Sequence, residues 1–277
     1  MYQQSTNKAM DKEMPILDHL EELRKRLMRA LFFIVVFAVV AFAFRDIIFD
    51  SIILAPKNAD FITNRLLCEL GNIVNVKTLC INSKHLQIIN IKMAGQFSTH
   101  IIVSLIVGFI IGFPFIFWQF WKFVQPALYS SEKKHSRGAV LFTSLLFTLG
   151  AVFGYYIIVP LSVHFLGSYN VSGEVLNKIN LGSYISTVSS VVLAAAVIFE
   201  LPMLIFFLSK VGLITPEFLK KYRKHSIVLI LVLSAIITPP DIFSQVLVCL
   251  PLMVLYEAGI IISKKIVKKR NAVNDNQ

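Results

Sequence analysis

The chain has 277 residues, of which 56% belong to the apolar set and only 16% are charged, and Phe alone occurs 23 times. A soluble globule of this make-up would leave too much apolar surface in water, so composition excludes a soluble enzyme, a disordered chain, a disulfide scaffold and a collagen-like fibre. The net charge of +11 comes from basic residues in short clusters between apolar runs, the pattern of membrane topology and not of a nucleic-acid groove.

Spanning the hydrocarbon core takes about 20 predominantly apolar residues. Residues 1–30 read as an N-terminal cytoplasmic segment. Within it Leu17, Leu20, Leu23, Leu27 and Leu31 recur at helical spacing behind Pro15, which predicts an amphipathic interfacial helix leading into the first span. That span covers Leu31 to Phe44. Charges of both signs precede it and no small-residue cleavage site follows, so it is expected to stay in the protein and not to act as a signal peptide. A long polar outer loop, 45–93, comes next. The second span lies within Ile101 to Trp121, and the third runs from about Ala139 to Val159, with Pro160 expected to stop it. The fourth, about Tyr184 to Leu208, is interrupted by Glu200 and Pro202. The fifth, Ser226 to Thr238, reaches only about 20 Å before Pro239 and Pro240. With Phe243 to Ser263 it reads as a hairpin of short spans. The expected fold is an all-α integral membrane protein with six transmembrane helices, a membrane domain at 31–263, a short fifth and sixth helix, a basic tail at 264–277 and no internal repeat.

Lys and Arg fix the orientation. Twenty of the 27 fall in the N-terminal segment, the second-to-third and fourth-to-fifth loops and the tail, against seven in the other loops. Both termini are therefore expected in the cytoplasm. The first outer loop then places Cys68 and Cys80 on the oxidising side, where a disulfide closing a small loop competes with two free thiols. Cys249 reads as packing in the sixth span. The sequence has no metal-ligand spacing, nucleotide-binding loop or nucleophile elbow, so no cofactor and no metal is expected.

Several polar features interrupt the apolar pattern. Glu21 with Lys25 and Glu22 with Arg26 are i,i+4 pairs, ordinarily a solvated helix face. Glu132 lies among cationic residues, and its plain reading is an acid favoured at a helix N-terminus. Glu200 sits inside an apolar run, where an ionised group costs about 2.5–3.5 kcal/mol, so it should face a polar cavity, a partner or a proton. A buried protonated carboxyl pinning helices together is its alternative. Glu257 is expected to snorkel to the interface. Thr238-Pro-Pro-Asp241, followed by Ser244 and Gln245, reads as a rigid turn and helix cap.

These residues, in this order, resemble the TatC family, the polytopic core of the twin-arginine protein translocase. The resemblance rests on six stretches: His19 to Arg26; Pro114 with Gln119 to Tyr129 and Glu132; Gly154-Tyr155 with Pro160; Phe199 to Pro202; Gly212 to Pro216; and Thr238 to Gln245. It covers roughly Pro15 to Ser263, and the one departure is the long, Cys-bearing first outer loop. The resemblance implies a receptor in the cell's inner membrane for twin-arginine signal peptides on folded cargo, with no enzymatic activity. It implies partners too: TatA-type and TatB-type single-span subunits, one of them recruited under the proton-motive force, and further copies of the chain itself. Signal binding would then fall to Glu22, Arg24, Arg26, Phe123 and Glu132. Glu200 and Gln245 would be intramembrane polar contacts to signal or partner, and Pro126, Pro202, Pro239, Pro240 and Asp241 would be structural. Two other classes stay open: a small-solute transporter, which would ordinarily show repeat symmetry, and an intramembrane enzyme, for which no catalytic set can be assembled.

Overall fold

The computed structural model describes residues 16–73, 86–124, 136–172, 174–175, 177–238 and 242–274. Helix α1, Ile16–Ala43, is rich in strong helix formers and free of Gly and Pro, so the expected interfacial helix and first span form one unbroken rod. Lys25 and Glu21 lie 2.7 Å apart along it, and Arg26 pairs with Glu22. Leu20, Leu23, Leu27 and Leu31 remain exposed, as they would where lipid replaces water as the solvent.

The described part of the first outer loop is largely helical. It folds as a π-helix at Ile47–Ile53, a 3₁₀ turn at Ala55–Lys57 and helix α2 at Ile62–Ile73. Side-chain bonds clamp it to the membrane helices: the Tyr155 hydroxyl donates to the Ile52 carbonyl at 2.7 Å and the Tyr184 hydroxyl to the Ile53 carbonyl at 2.9 Å. Cys68 is disulfide-bonded and Cys249 is a buried free thiol. Cys80 lies outside the described residues.

Helix α3, Gly95–Val124, contains Pro114. The third span is helix α4, Ser136–Phe153, a π-turn at Gly154–Ile158 and helix α5, Val159–Ser168. Pro160 was expected to stop this span, and it does not. Proline has no N–H and crowds the carbonyl four residues back. The π-turn widens the ladder there, so the Val159 N–H bonds the Gly154 carbonyl, and the Thr63 hydroxyl takes the Tyr156 carbonyl that Pro160 leaves free. Strands β1, Ile88–Ile89, and β2, Ile179–Asn180, pair in parallel. They set the starts of α3 and of helix α6, Leu181–Ile198, side by side, and the Asn180 side chain caps α6 by accepting from the Gly182 N–H at 2.9 Å.

The chain breaks at Phe199 and Glu200 and resumes as helix α7, Leu201–Val211, with Pro202 in its first turn. Gly212, at φ 87°, ends α7 in the left-handed conformation that favours glycine, and the Leu213 N–H returns to the Leu208 carbonyl at 2.9 Å. Thr215 then caps the short helix α8, Pro216–Lys221. Helix α9, Arg223–Ile237, and helix α10, Ile242–Asn274, complete the fold.

The buried core centres on α6, whose Tyr184, Ile185, Val188, Val191, Val192, Ala195 and Ala196 face Phe147 and Ile158 of the third span and Val103 of α3. α1 lies along α3, and α7 lies along α10, where Ser209 donates to Ser263 at 2.7 Å. One close approach fixes α4 against α6. A Cβ on Gly150 would stand 2.7 Å from the Ala195 carbonyl oxygen and 2.8 Å from the Ala196 Cα, so only glycine lets these backbones meet.

Among the described residues, five stretches are long and apolar enough to cross a membrane: Leu20–Ala43, Gly95–Phe123, Gly138–Ser168, Leu181–Val211 and Gln245–Lys268. α9 has 15 residues, about 22 Å at 1.5 Å per residue. It is therefore short, as expected. The sixth helix is longer than expected, at 33 residues, because the basic tail continues it with Lys and Arg, which are good helix formers. Only the arm of α10 beside α9 is short. Arg223 at the head of α9 meets Glu257, with Nε 2.6 Å from Oε1, one arm's length along α10 from the turn. Glu257 thus sits at the polar end of the hairpin.

Candidate functional site

The sequence-predicted residues fall in three places. Glu22 and Arg26 share one face of α1, and Arg24, two residues from each, lies on another. The Arg26 Nε donates to Glu22 Oε1 at 3.0 Å, and both side chains are largely buried while Arg24 is exposed. Glu22 Oε2 is buried and has no hydrogen-bond partner among the described residues. A buried carboxylate oxygen in that state is rare, because desolvation without a partner is costly.

The register of α1 on α3 locates this carboxylate. Phe42 stacks on His100 at 3.9 Å, the Ala38 backbone meets Gly108, and Phe33 stacks on Phe115 at 4.9 Å. The helices run antiparallel, and continuing the same pairing brings Arg26 and Glu22 level with the end of α3. That end carries Lys122, whose ammonium lies 4.1 Å over the Trp118 ring, and half-buried Phe123. Pro126 and Glu132, in the loop that follows, lie outside the described residues.

Glu200 occupies the second place, the α6–α7 break. Its backbone carbonyl accepts from the Leu204 N–H at 2.9 Å, but its side chain makes no capping bond, and Oε1 is buried without a partner among the described residues. Two residues to which the sequence reading gave no role share this condition. Gln119 on α3 and Thr143 on α4 are buried, each with an oxygen lacking a hydrogen-bond partner among the described residues. Phe113 stacks on Phe147 at 3.5 Å and Trp121 packs on Phe207 at 5.0 Å, so α3, α4 and α6–α7 pack side by side over this region. Three neighbouring helices therefore carry buried, unpaired polar atoms in an apolar setting. Only Gln119 lay within a motif, and Thr143 had no signal, because a lone Thr in an apolar run reads as packing.

The third place is the α9–α10 hairpin. Gln245 donates to the Leu231 carbonyl at 3.2 Å and Thr238 to the Ser234 carbonyl at 2.8 Å, so these groups serve the turn. Pro239, Pro240 and Asp241 lie outside the described residues. Among the described residues no group of three or more His, Cys, Asp or Glu is placed to hold a metal.

The start of α1 and the far part of α10 lie toward one face. α1 begins beside the end of α3, the end of α3 meets the end of α7 through Trp121 and Phe207, and Ser209 of α7 bonds Ser263 far along α10. With this geometry, a family model for the Sec-independent protein translocase protein TatC matches residues 18–251. The chain belongs to the TatC family. A relative from Blattabacterium sp. subsp. Periplaneta americana, named Sec-independent protein translocase protein TatC, is 40% identical over 93% of this chain and 98% of its own. A protein of the same name from Aquifex aeolicus is 35% identical over 94% and 99%. The solved structure described as the twin-arginine translocase receptor TatC in DDM is similar at a TM-score of 0.67 and 35% identity, covering 88% of this chain and 99% of that one. This TatC-family chain is a multi-pass membrane subunit of the twin-arginine protein translocase, not an enzyme.

Proposed function

We propose that this chain is the signal-peptide receptor of the translocase, recognising twin-arginine signals at the face where its termini lie. The orphaned oxygen of Glu22 carries this reading. A guanidinium presents parallel N–H donors to a carboxylate, and lysine cannot reproduce that geometry. Arg26 already engages Oε1 and holds the carboxylate in place, while Oε2 remains for an incoming arginine. Glu132 would supply the second carboxylate, with Phe123 bordering the site and Arg24 adding positive charge from the exposed face of α1.

The face with the termini is cytoplasmic in this reading and the membrane is the inner one, supported by the asymmetry of basic residues. Glu200, with Gln119 and Thr143, offers unpaired polar atoms to the deeper part of a signal peptide or to a TatA-type or TatB-type single-span subunit. Helix α9, at about 22 Å shorter than the roughly 30 Å hydrocarbon core, thins the bilayer beside them. Transport itself belongs to the assembly, energised by the proton-motive force.

The test is a binding titration of a twin-arginine signal peptide to the membrane-embedded chain and to Glu22→Gln. The amide keeps the size of the side chain but loses its charge, so affinity should fall at least tenfold for the twin-arginine peptide and little for a twin-lysine one. Equal affinity of Glu22→Gln and parent for the twin-arginine peptide would defeat the assignment. Replacing Glu200 by Leu should leave that surface binding intact and abolish transport or partner assembly.

A further inference from the structure

On the face opposite the termini the structure holds a cavity of about 430 Å³, lined by Arg45, Asp46, Phe49, Asp50, Gln96 and His100 among others. It opens where three spans end: two residues past Ala43, at the start of Gly95–Phe123, and at Leu181, the first residue of the fourth span. This is the level of the lipid headgroups, so the cavity borders water on one side and headgroups on the other.

Its polar groups are of both signs and are incompletely used. Arg45 Nε bonds Asp46 at 3.1 Å, which leaves the other guanidinium N–H donors of Arg45 free to bond an anion. Asp50 has no ion-pair or hydrogen-bond partner among the described residues. His100 Nε2 lies 3.1 Å from the Phe42 carbonyl, one of the last carbonyls of α1. A carbonyl only accepts, so Nε2 donates, and in that tautomer Nδ1 is an acceptor. The Phe49 ring stands edge-on to the His100 ring at 5.6 Å, and an aromatic wall also favours a cation. An anion donor, an unpaired carboxylate, an imidazole acceptor and an aromatic wall within one interfacial cavity describe a receptor for a phosphate joined to a primary ammonium.

We propose that this cavity binds the phosphoethanolamine headgroup of a membrane lipid, with the phosphate on Arg45 and the ammonium between Asp50 and His100. An anionic glycerol headgroup gains nothing from Asp50 and is repelled by it. A lipid held here would fasten the outer ends of α1, α3 and α6 together. The proposal needs only membrane embedding, so it stands or falls apart from signal recognition.

The test is native mass spectrometry of the full chain in detergent, titrated with dioctanoyl phosphatidylethanolamine, dioctanoyl phosphatidylglycerol and water-soluble glycerophosphoethanolamine. The expected result is at least tenfold tighter binding of the ethanolamine lipid than of the glycerol lipid. Asp50→Asn should abolish that preference, and Arg45→Gln should weaken both lipids. Asp50 and Arg45 are exposed, so both variants should keep the fold, which the helical circular dichroism signal checks. Equal binding of the two lipids by the parent, or an unchanged preference in Asp50→Asn, would overturn the proposal. Saturation by the soluble headgroup at the same concentration as the lipid would overturn its assignment to a lipid.

Discussion

Gly150 is the point where packing and the intramembrane acid meet, and enlarging it should be felt at both. A Cβ there would lie 2.7 Å from the Ala195 carbonyl oxygen, 2.7 Å from Phe199 Cβ and 2.8 Å from Ala196 Cα. Ordinary carbon contacts are about 3.5–4.0 Å, so α6 would have to retreat by roughly 1 Å. Two of these three neighbours are backbone atoms, which cannot swing aside. Overpacking of this kind costs about 1–3 kcal/mol, while replacing Gly by Ala in a helix interior returns up to about 1 kcal/mol of propensity. Gly150→Ala is therefore expected to destabilise by about 0–2 kcal/mol. Gly150→Val, which adds two methyl groups to the same space and regains less propensity, should cost about 3 kcal/mol, roughly a 150-fold shift in the unfolding equilibrium. Unfolding in mixed micelles of mild detergent and dodecyl sulfate, followed by helical circular dichroism, measures this. Gly138→Ala serves as the control, because a Cβ there meets nothing within 4 Å, and it should leave stability unchanged or raise it by up to about 1 kcal/mol. Phe199 directly precedes Glu200, so Gly150→Val should also impair transport. If Gly150→Val unfolded at the parent's dodecyl sulfate fraction, the close α4–α6 contact would be wrong.

Tyr184→Phe removes the donor to the buried Ile53 carbonyl and should cost about 1–3 kcal/mol in the same assay, with the outer segment loosening first in hydrogen exchange. Ser209→Ala and Ser263→Ala should each cost about 0.6 kcal/mol, the average for hydrogen bonds between membrane helices. The double variant should cost no more than the larger single one, since each substitution alone already breaks the bond. Cys68→Ser should lower thermal stability by about 2–4 kcal/mol, and a reducing agent should do the same to the parent but add nothing to the variant.

What was legible in the sequence followed from local rules. The break at Glu200 and Pro202 follows from chemistry that a residue carries wherever it sits, and so do the apolar spans. Pro160 misled because its local rule is real but was met from afar: Thr63, on another element, satisfies the carbonyl that the proline orphans. The helices of the outer loop carried no apolar-span signal, and its π-helix is held by Tyr155 and Tyr184 reaching in from distant spans. At the candidate site, Glu22 and Arg26 were visible as an i,i+4 pair, but that spacing is the same for a solvated face. What sets Glu22 apart from a solvated face is one carboxylate oxygen buried without a partner among the described residues. Thr143 and Gln119 gave no signal of this in the sequence, because helix rotation decides which polar atoms end up buried without a partner.

The central claim is that Glu22 and its surroundings read paired arginines at the face with the termini. Site-specific photocrosslinking tests it most directly, with probes at positions 22 and 132 of the membrane-embedded chain and a signal peptide carrying either two arginines or two lysines. The account predicts strong crosslinks at both positions with twin arginine and their loss with twin lysine. Equal crosslinking of the two peptides by intact protein would contradict it.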